Sequence, residues 1–191
     1  KTRVLDVGCG EGVLVEELRD RGWEIEGLDL NYESKFVRRG DVRDMPYSDA
    51  MFDLILFLDT LEHLPFADQP KSLSEIRRVL KPGGRVIVSV PNLAHLNCRI
   101  RLLVCGRLHR TDVETDHPGE RPFVENKQLL RNAGFLIEKC VGVTLTVPWI
   151  YTRLICKRPA RFRWLHDAME PVARKLVSLA MLTIFVCRRL D

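Results

Sequence analysis

Gly8, Gly10 and Gly12 alternate directly after the apolar run Val4-Leu5-Asp6-Val7, the pattern of a strand turning sharply into a helix around a ligand. Glycine suits such a turn because a Cβ would disfavour left-handed backbone angles and hold a ligand away from the main chain. The turn reads as a nucleotide site. A second apolar segment, 24–29, ends in Asp29, at about the distance expected of a carboxylate that binds ribose hydroxyls. The glycine spacing is not GxGxxG, since Val13 stands where the third glycine would be. A nicotinamide dinucleotide, and with it a dehydrogenase, is disfavoured.

Three histidines are candidates for acid–base work, because an unperturbed imidazole titrates at roughly 6.5, close to working pH. His63 follows a long apolar strand, His95 lies in Pro91-Asn92-Leu93-Ala94-His95, and His117 lies in a polar stretch containing Pro118-Gly119. For His95 and His117, a substrate-facing role and a solvated loop histidine both remain open. His109, Asp112, Glu114, Asp116 and His117 have mixed spacing and no cysteine among them. They are expected to form a solvated lid and not a metal site. The residues after the long apolar strand, Asp59-Thr60-Leu61-Glu62, offer no cysteine as a nucleophile.

These residues need a scaffold, and the alternation of short apolar runs with amphipathic ones supplies a βαβ beginning. A helix is expected over 11–21 with Val13, Leu14 and Leu18 on one face, and strands over 24–29, 36–39 and 52–58. Between Asp29 and Asp41 there is room for a loop but not for a covering helix. Segment 52–58 is apolar throughout, as a central parallel strand requires. A helix over 72–80 is stopped by Pro82-Gly83-Gly84, and a strand over 85–90 follows. Beyond it come a helix over 93–108, a mobile lid over 111–121, a helix over 126–132 capped by Gly134, a strand over 135–143, an insertion over 144–180 and a last strand over 181–187. The whole chain, 1–191, is expected to be one domain with a cap at 93–121.

Composition agrees with an ordinary globule: 191 residues, 46% hydrophobic and 29% charged, with a net charge of +4. Six cysteines without a CxxC pair suggest neither zinc nor disulfides, and fit a reducing cytoplasm. The opening on the first strand suggests a missing N-terminal segment. Arg153, Lys157, Arg158, Arg161 and Arg163 interleave with Phe162 and Trp164. Phosphate contact is conceivable there, but a solvated helix face is preferred. The apolar stretch 176–187 is shorter than the roughly 20 residues of a membrane span.

In order and spacing, the 6–12 run, Gly40-Asp41-Val42 with Met45-Pro46-Tyr47, Phe52 to Leu58, Leu61-Glu62-His63-Leu64 and Leu80-Lys81-Pro82-Gly83-Gly84 resemble successive motifs of the class I S-adenosylmethionine-dependent methyltransferases of the small-molecule type. The resemblance implies a doubly wound α/β fold with a mostly parallel seven-stranded sheet and an antiparallel last strand. It implies that Asp6, Gly8, Cys9 and Gly10 surround the methionine part, that Asp29 with Leu30 holds the ribose, and that Asp41 and Val42 meet the adenine. Leu58 and His63 would line the cofactor, with S-adenosylhomocysteine as product. His117 and, less firmly, His95 would face a small-molecule acceptor, with oxygen slightly preferred over nitrogen or carbon. Asp59-Thr60-Leu61-Glu62 lacks the Asn/Asp-Pro-Pro-Tyr tetrapeptide that similar enzymes use on planar nitrogens and any Pro-Cys pair, so methylation of bases or glutamine loses weight. A non-catalytic or RNA-binding relative is the alternative, though nucleic acid is disfavoured.

Overall fold

A computed structural model describes residues 2–106, 117–148 and 150–190. Seven strands form one sheet: β1 (Arg3–Val7), β2 (Glu24–Asp29), β3 (Val37–Arg39), β4 (Phe52–Leu58), β5 (Leu80–Pro91), β6 (Phe135–Val143) and β7 (Leu182–Arg189). Their order is β3-β2-β1-β4-β5-β7-β6. The five on the β3 side are parallel, and β7 runs antiparallel to both β5 and β6. This is the Rossmann-like sheet expected. The order reverses at β1, so the strands on either side of it turn away and leave a crevice at the carboxyl ends.

Both sheet faces are covered, which is why the central strands are apolar at nearly every position. On one face Leu5, Val7, Ile55, Phe57 and Val88 pack with Leu73, Ile76 and Val79 of helix α2 (Gln69–Val79). On the other, Val4, Ile25 and Leu56 meet Val15 of helix α1 (Val13–Asp20). Helix α1 starts two residues later than its periodicity suggests. Gly12 is its N-cap at φ +87°, which leaves Glu11 outside the first turn. Val13 is 71% exposed, and the buried face is Val15 flanked by Leu14 and Leu18. Helix α2 begins earlier than expected because Pro70 is pre-shaped for a first turn.

No helix lies between β2 and β3. Instead the Arg19 guanidinium of α1 sits 3.9 Å over the Phe36 ring, so a cation–π contact and the arginine's own stem cover that edge. Strand β5 extends back to Leu80, with a register shift opposite Phe52 and Leu54 where Pro82-Gly83-Gly84 breaks the pairing.

Beyond β5, helix α3 (Leu96–Cys105) is shorter than the 93–108 expected, and 107–108 fall outside the described residues. The same holds for 111–116 of the expected lid. Its remaining part is stitched down: Gly119 N–H donates to Glu62 O at 2.9 Å, Gln69 Nε2 donates to Gly119 O at 2.8 Å, and Arg121 Nε donates to Gln69 Oε1 at 2.7 Å. Helix α4 (Phe123–Asn132) precedes β6, and the 144–180 insertion carries helix α5 (Pro159–Lys175). Among the described residues, no helix is long and apolar enough to cross a membrane.

Candidate functional site

A cleft of about 450 Å³ opens where β1, β2 and β4 end. Of the residues expected to act, Gly8, Gly10, Asp29, Leu30, Asp41, Val42 and His63 line it. The glycine turn explains itself position by position. All three glycines have positive φ: +75°, +56° and +87°. A Cβ at Gly8 would run into the Thr60 side chain, and one at Gly12 into Val37 Cγ2. At Gly10 a Cβ would meet no other protein atom within 4 Å. The bare Cα of Gly10 therefore faces the cleft, a cradle that even a methyl group would begin to fill.

Asp29 is tied across this turn. The Gly10 N–H donates to its Oδ2 at 2.9 Å, and the Asn31 and Tyr32 N–H groups donate to its Oδ1 at 2.8 and 3.2 Å. Main-chain donors thus fix the carboxylate while leaving acceptor capacity, chiefly on Oδ2, for a ligand hydroxyl. An open cradle beside an anchored acid fits a nucleoside with a polar tail.

Asp41 is engaged differently. Arg43 Nε lies 3.0 Å from both of its oxygens, and Arg43 Nη2 donates to Oδ2 at 2.6 Å. Arg43 Nη1 continues to Asp68 Oδ2 at 2.8 Å. The guanidinium holds the Asp41 carboxyl below the usual carboxylate range. An adenine amino group at Asp41 would share this acceptor with Arg43.

Asp6, Cys9 and Leu58 stand behind the wall. Asp6 is 4% exposed, and burial pushes its carboxyl up to about 6. The Cys9 thiol packs against Gly27 and is pushed up to about 12 by burial, with the charges of Asp6 and Asp29 adding to it. It stays a neutral thiol. Leu58 packs with the Val4, Ile25 and Leu56 cluster.

Asp59 is not among the residues expected to act. It lines the cleft at φ +46°, a left-handed conformation that costs a non-glycine residue energy. Its N–H donates to Ser89 O at 3.1 Å and to Ser89 Oγ at 3.0 Å, while that hydroxyl donates to Asp59 Oδ1 at 2.8 Å. Ser89 on β5 holds the bend in place. Periodicity reports where a strand ends and not the backbone angle just past it.

The histidines divide. His117 meets His63 edge to face, with ring centroids 4.6 Å apart. Beside them Glu62 is 3% exposed, its Oε2 without a hydrogen bond among the described residues. Burial, with Asp59 and Glu120 adding, pushes the Glu62 carboxyl up to about 7. Ligand atoms of Glu62, His63 and His117 all lie within 4.8 Å of one another, so the trio can share protons or hold a cation. His95 stands elsewhere, its Nδ1 2.9 Å from Thr146 Oγ1 and its Nε2 3.2 Å from Cys98 Sγ. Of the three only His63 lines the cleft, and His117 stands behind it. His109, Asp112, Glu114 and Asp116 lie outside the described residues.

The family described as "Methyltransferase domain" matches residues 1–139, which include every cleft residue named above. The chain belongs to that family. The chain is 34% identical over 150 residues to a Mycolicibacterium smegmatis protein named "Probable S-adenosylmethionine-dependent methyltransferase", covering 73% of this chain and 54% of the relative. It is 35% identical over 145 residues to the "Ubiquinone biosynthesis O-methyltransferase" of Idiomarina loihiensis, covering 68% and 58%. The chain thus spans little more than half the length of these relatives. The crystal structure of a SAM dependent methyltransferase from Archaeoglobus fulgidus has the same fold, with a TM-score of 0.66 and 20% identity, over 98% of this chain and 86% of that one.

Proposed function

We propose that this methyltransferase moves the methyl group of S-adenosylmethionine to a small-molecule acceptor, an oxygen nucleophile being slightly preferred. The observation that carries the reading is the Asp29 carboxylate bound to the Gly10 N–H beside the open face of Gly10. Two features favour oxygen: the tetrapeptide for planar nitrogens is absent after β4, and one relative is named an O-methyltransferase.

When bound, the nucleoside would supply an activated methyl on a sulfonium. The protein's contribution is placement in a water-poor cleft. Asp29 holds the ribose, Gly8 and Gly10 give room for the methionine part with Asp6 and Cys9 behind them, and Leu30, Asp41 and Val42 flank the base, with Leu58 supporting the wall. His63 buttresses His117, which takes the acceptor's proton, and the neighbouring Glu62 carboxyl steadies the resulting imidazolium. His95, bonded to Thr146 and Cys98, braces the 93–121 cap and is the weaker candidate for base. That cap and the 144–180 insertion choose the acceptor. Six cysteines without a CxxC pair favour a reducing, cytoplasmic setting.

Calorimetry with S-adenosylhomocysteine tests the cofactor site. Asp29→Ala should weaken binding by about 1.5 to 3 kcal/mol, the range for hydrogen bonds to a charged group. A folded variant with unchanged affinity would overturn the assignment. On an identified acceptor, His117→Ala should lower turnover 10²–10⁴-fold, the usual worth of general-base help, with cofactor affinity nearly intact. Full turnover in both His117→Ala and His95→Ala would leave proximity alone as the source of rate. Salt-sensitive RNA binding by a protein that ignores the nucleoside would support the non-catalytic alternative.

A further inference from the structure

Helices α3 and α5 rise from the sheet end that also opens the cleft: α3 follows the carboxyl end of β5, and α5 lies in the connection from the carboxyl end of β6 to β7. They form one cap, since Leu96 of α3 and Met169 of α5 both pack on the Leu145, Ala173 and Ala180 cluster. Arg99 Nη2 ties α3 to Ser178 O at 2.9 Å. Both helices, and the segment before α5, expose large apolar side chains. Leu103 is 85% exposed, Val104 69% and Trp164 66%, with Leu102, Leu154 and Leu176 also exposed. Of the 17 residues of α5, only Ala173 is buried.

The segment that carries α5 is basic. Segment 150–175 carries seven Lys and Arg against two acids, in a chain whose net charge is only +4. Both acids are held locally: Asp167 faces Arg163 at 3.8 Å, while Glu170 accepts the Thr144 N–H at 2.9 Å and lies 3.8 Å from His166. Arg101 adds a further positive charge beside Leu102 and Leu103.

We infer that this cap docks on an anionic lipid surface, with Leu103, Val104 and Trp164 entering the headgroup layer and the basic side chains of 153–163 meeting lipid phosphates. Exposed aliphatics, a tryptophan and snorkelling Arg and Lys are the combination that holds an interfacial helix on a charged bilayer. A second copy of the chain fits poorly, because a two-fold contact would press like charges together. RNA would engage the arginines and Trp164 but has no use for the aliphatic end of α3. Docking turns the carboxyl-end cleft towards the bilayer. If the methyl-transfer reading holds, the acceptor is then an amphiphile that partitions into the membrane.

Cosedimentation of the 191-residue chain with vesicles tests the inference, comparing phosphatidylcholine alone with a mixture containing about one phosphatidylglycerol in three lipids. Binding is expected to the anionic vesicles only, weakening with salt and accompanied by a blue shift of tryptophan emission that Trp164→Phe removes. Each basic side chain near such a surface contributes roughly fivefold, so Arg161→Glu with Arg158→Glu should weaken binding at least about twenty-fold. Leu103→Ser with Val104→Ser should weaken it with charge unchanged. Unaltered S-adenosylhomocysteine affinity in these variants shows that the fold is intact, and separates failure of docking from failure of the cofactor assignment. No vesicle binding, equal binding to neutral vesicles, a dimer dissolved by Leu103→Ser, or RNA binding without vesicle binding would each overturn the inference.

Discussion

Glu62 is an acid held where water does not reach, and its titration reports on the cleft wall. Its carboxyl is pushed by burial from an ordinary 4.5 to about 7. Below pH 4.5 it is protonated in both folded and unfolded chains, and this contribution to stability is fully present. As pH rises, the unfolded chain loses the proton first, so folding stability declines until about pH 7, where the loss levels at roughly 3 kcal/mol. Asp6, pushed up to about 6 from 3.8, acts with the same sign between those values, so the interval from 6 to 7 belongs to Glu62. Urea unfolding at pH 6 and 7 should show Glu62→Gln losing less stability across that interval than the parent. Equal slopes would mean that the carboxyl finds solvent or a partner.

The strand–turn–helix element at 3–20 separates two uses of glycine, and substitutions distinguish them. Gly12→Ala strains φ and drives a Cβ into Val37. It should cost more than the roughly 1–2 kcal/mol of a left-handed alanine alone. Gly10→Ala has the same kind of φ but open space around the new methyl, so denaturation should show only the smaller loss. Calorimetry should nevertheless show weaker nucleoside binding, because the methyl enters the cradle. Intact binding in Gly10→Ala would place the ligand elsewhere. The contrast also marks how far the sequence was readable. Alternation of glycines announced the turn, strand-end acids announced Asp29 and Asp41, and apolar runs announced six strands within two residues, because burial on both faces leaves a direct trace in residue type. The left-handed bend at Asp59, the Arg43 fork on Asp41 and the pairing of His117 with His63 left none. Each depends on contacts between segments far apart in the chain, and spacing carries no record of those. Helix α5 shows in the sequence only as the solvated helix face preferred for 153–164, without its bounds, for a related reason: with one buried residue, it has little apolar face to show.

At the scale of the whole molecule, the open sheet makes ligand and stability interdependent. The cleft is assembled from β1, β2, β4 and the loops after them, so a ligand seated there bridges elements that separate on unfolding. Anything that binds the folded chain alone stabilises it by about 2.7 kcal/mol at a hundred times its dissociation constant. For a domain of 150–250 residues, each kcal/mol moves the melting temperature by about 2–4 °C. S-adenosylhomocysteine at that excess should therefore raise Tm by roughly 5–10 °C, and Asp29→Ala should shrink the shift at the same ligand concentration. Reduced nicotinamide nucleotides should leave Tm where it is, since Val13 replaces the glycine that their pyrophosphate turn requires. A thermal scan with both ligands decides between them. Stabilisation by the nicotinamide nucleotide and none by the methionine-derived nucleoside would show that the glycine turn serves a different ligand, and the role of Asp29 would have to be assigned anew.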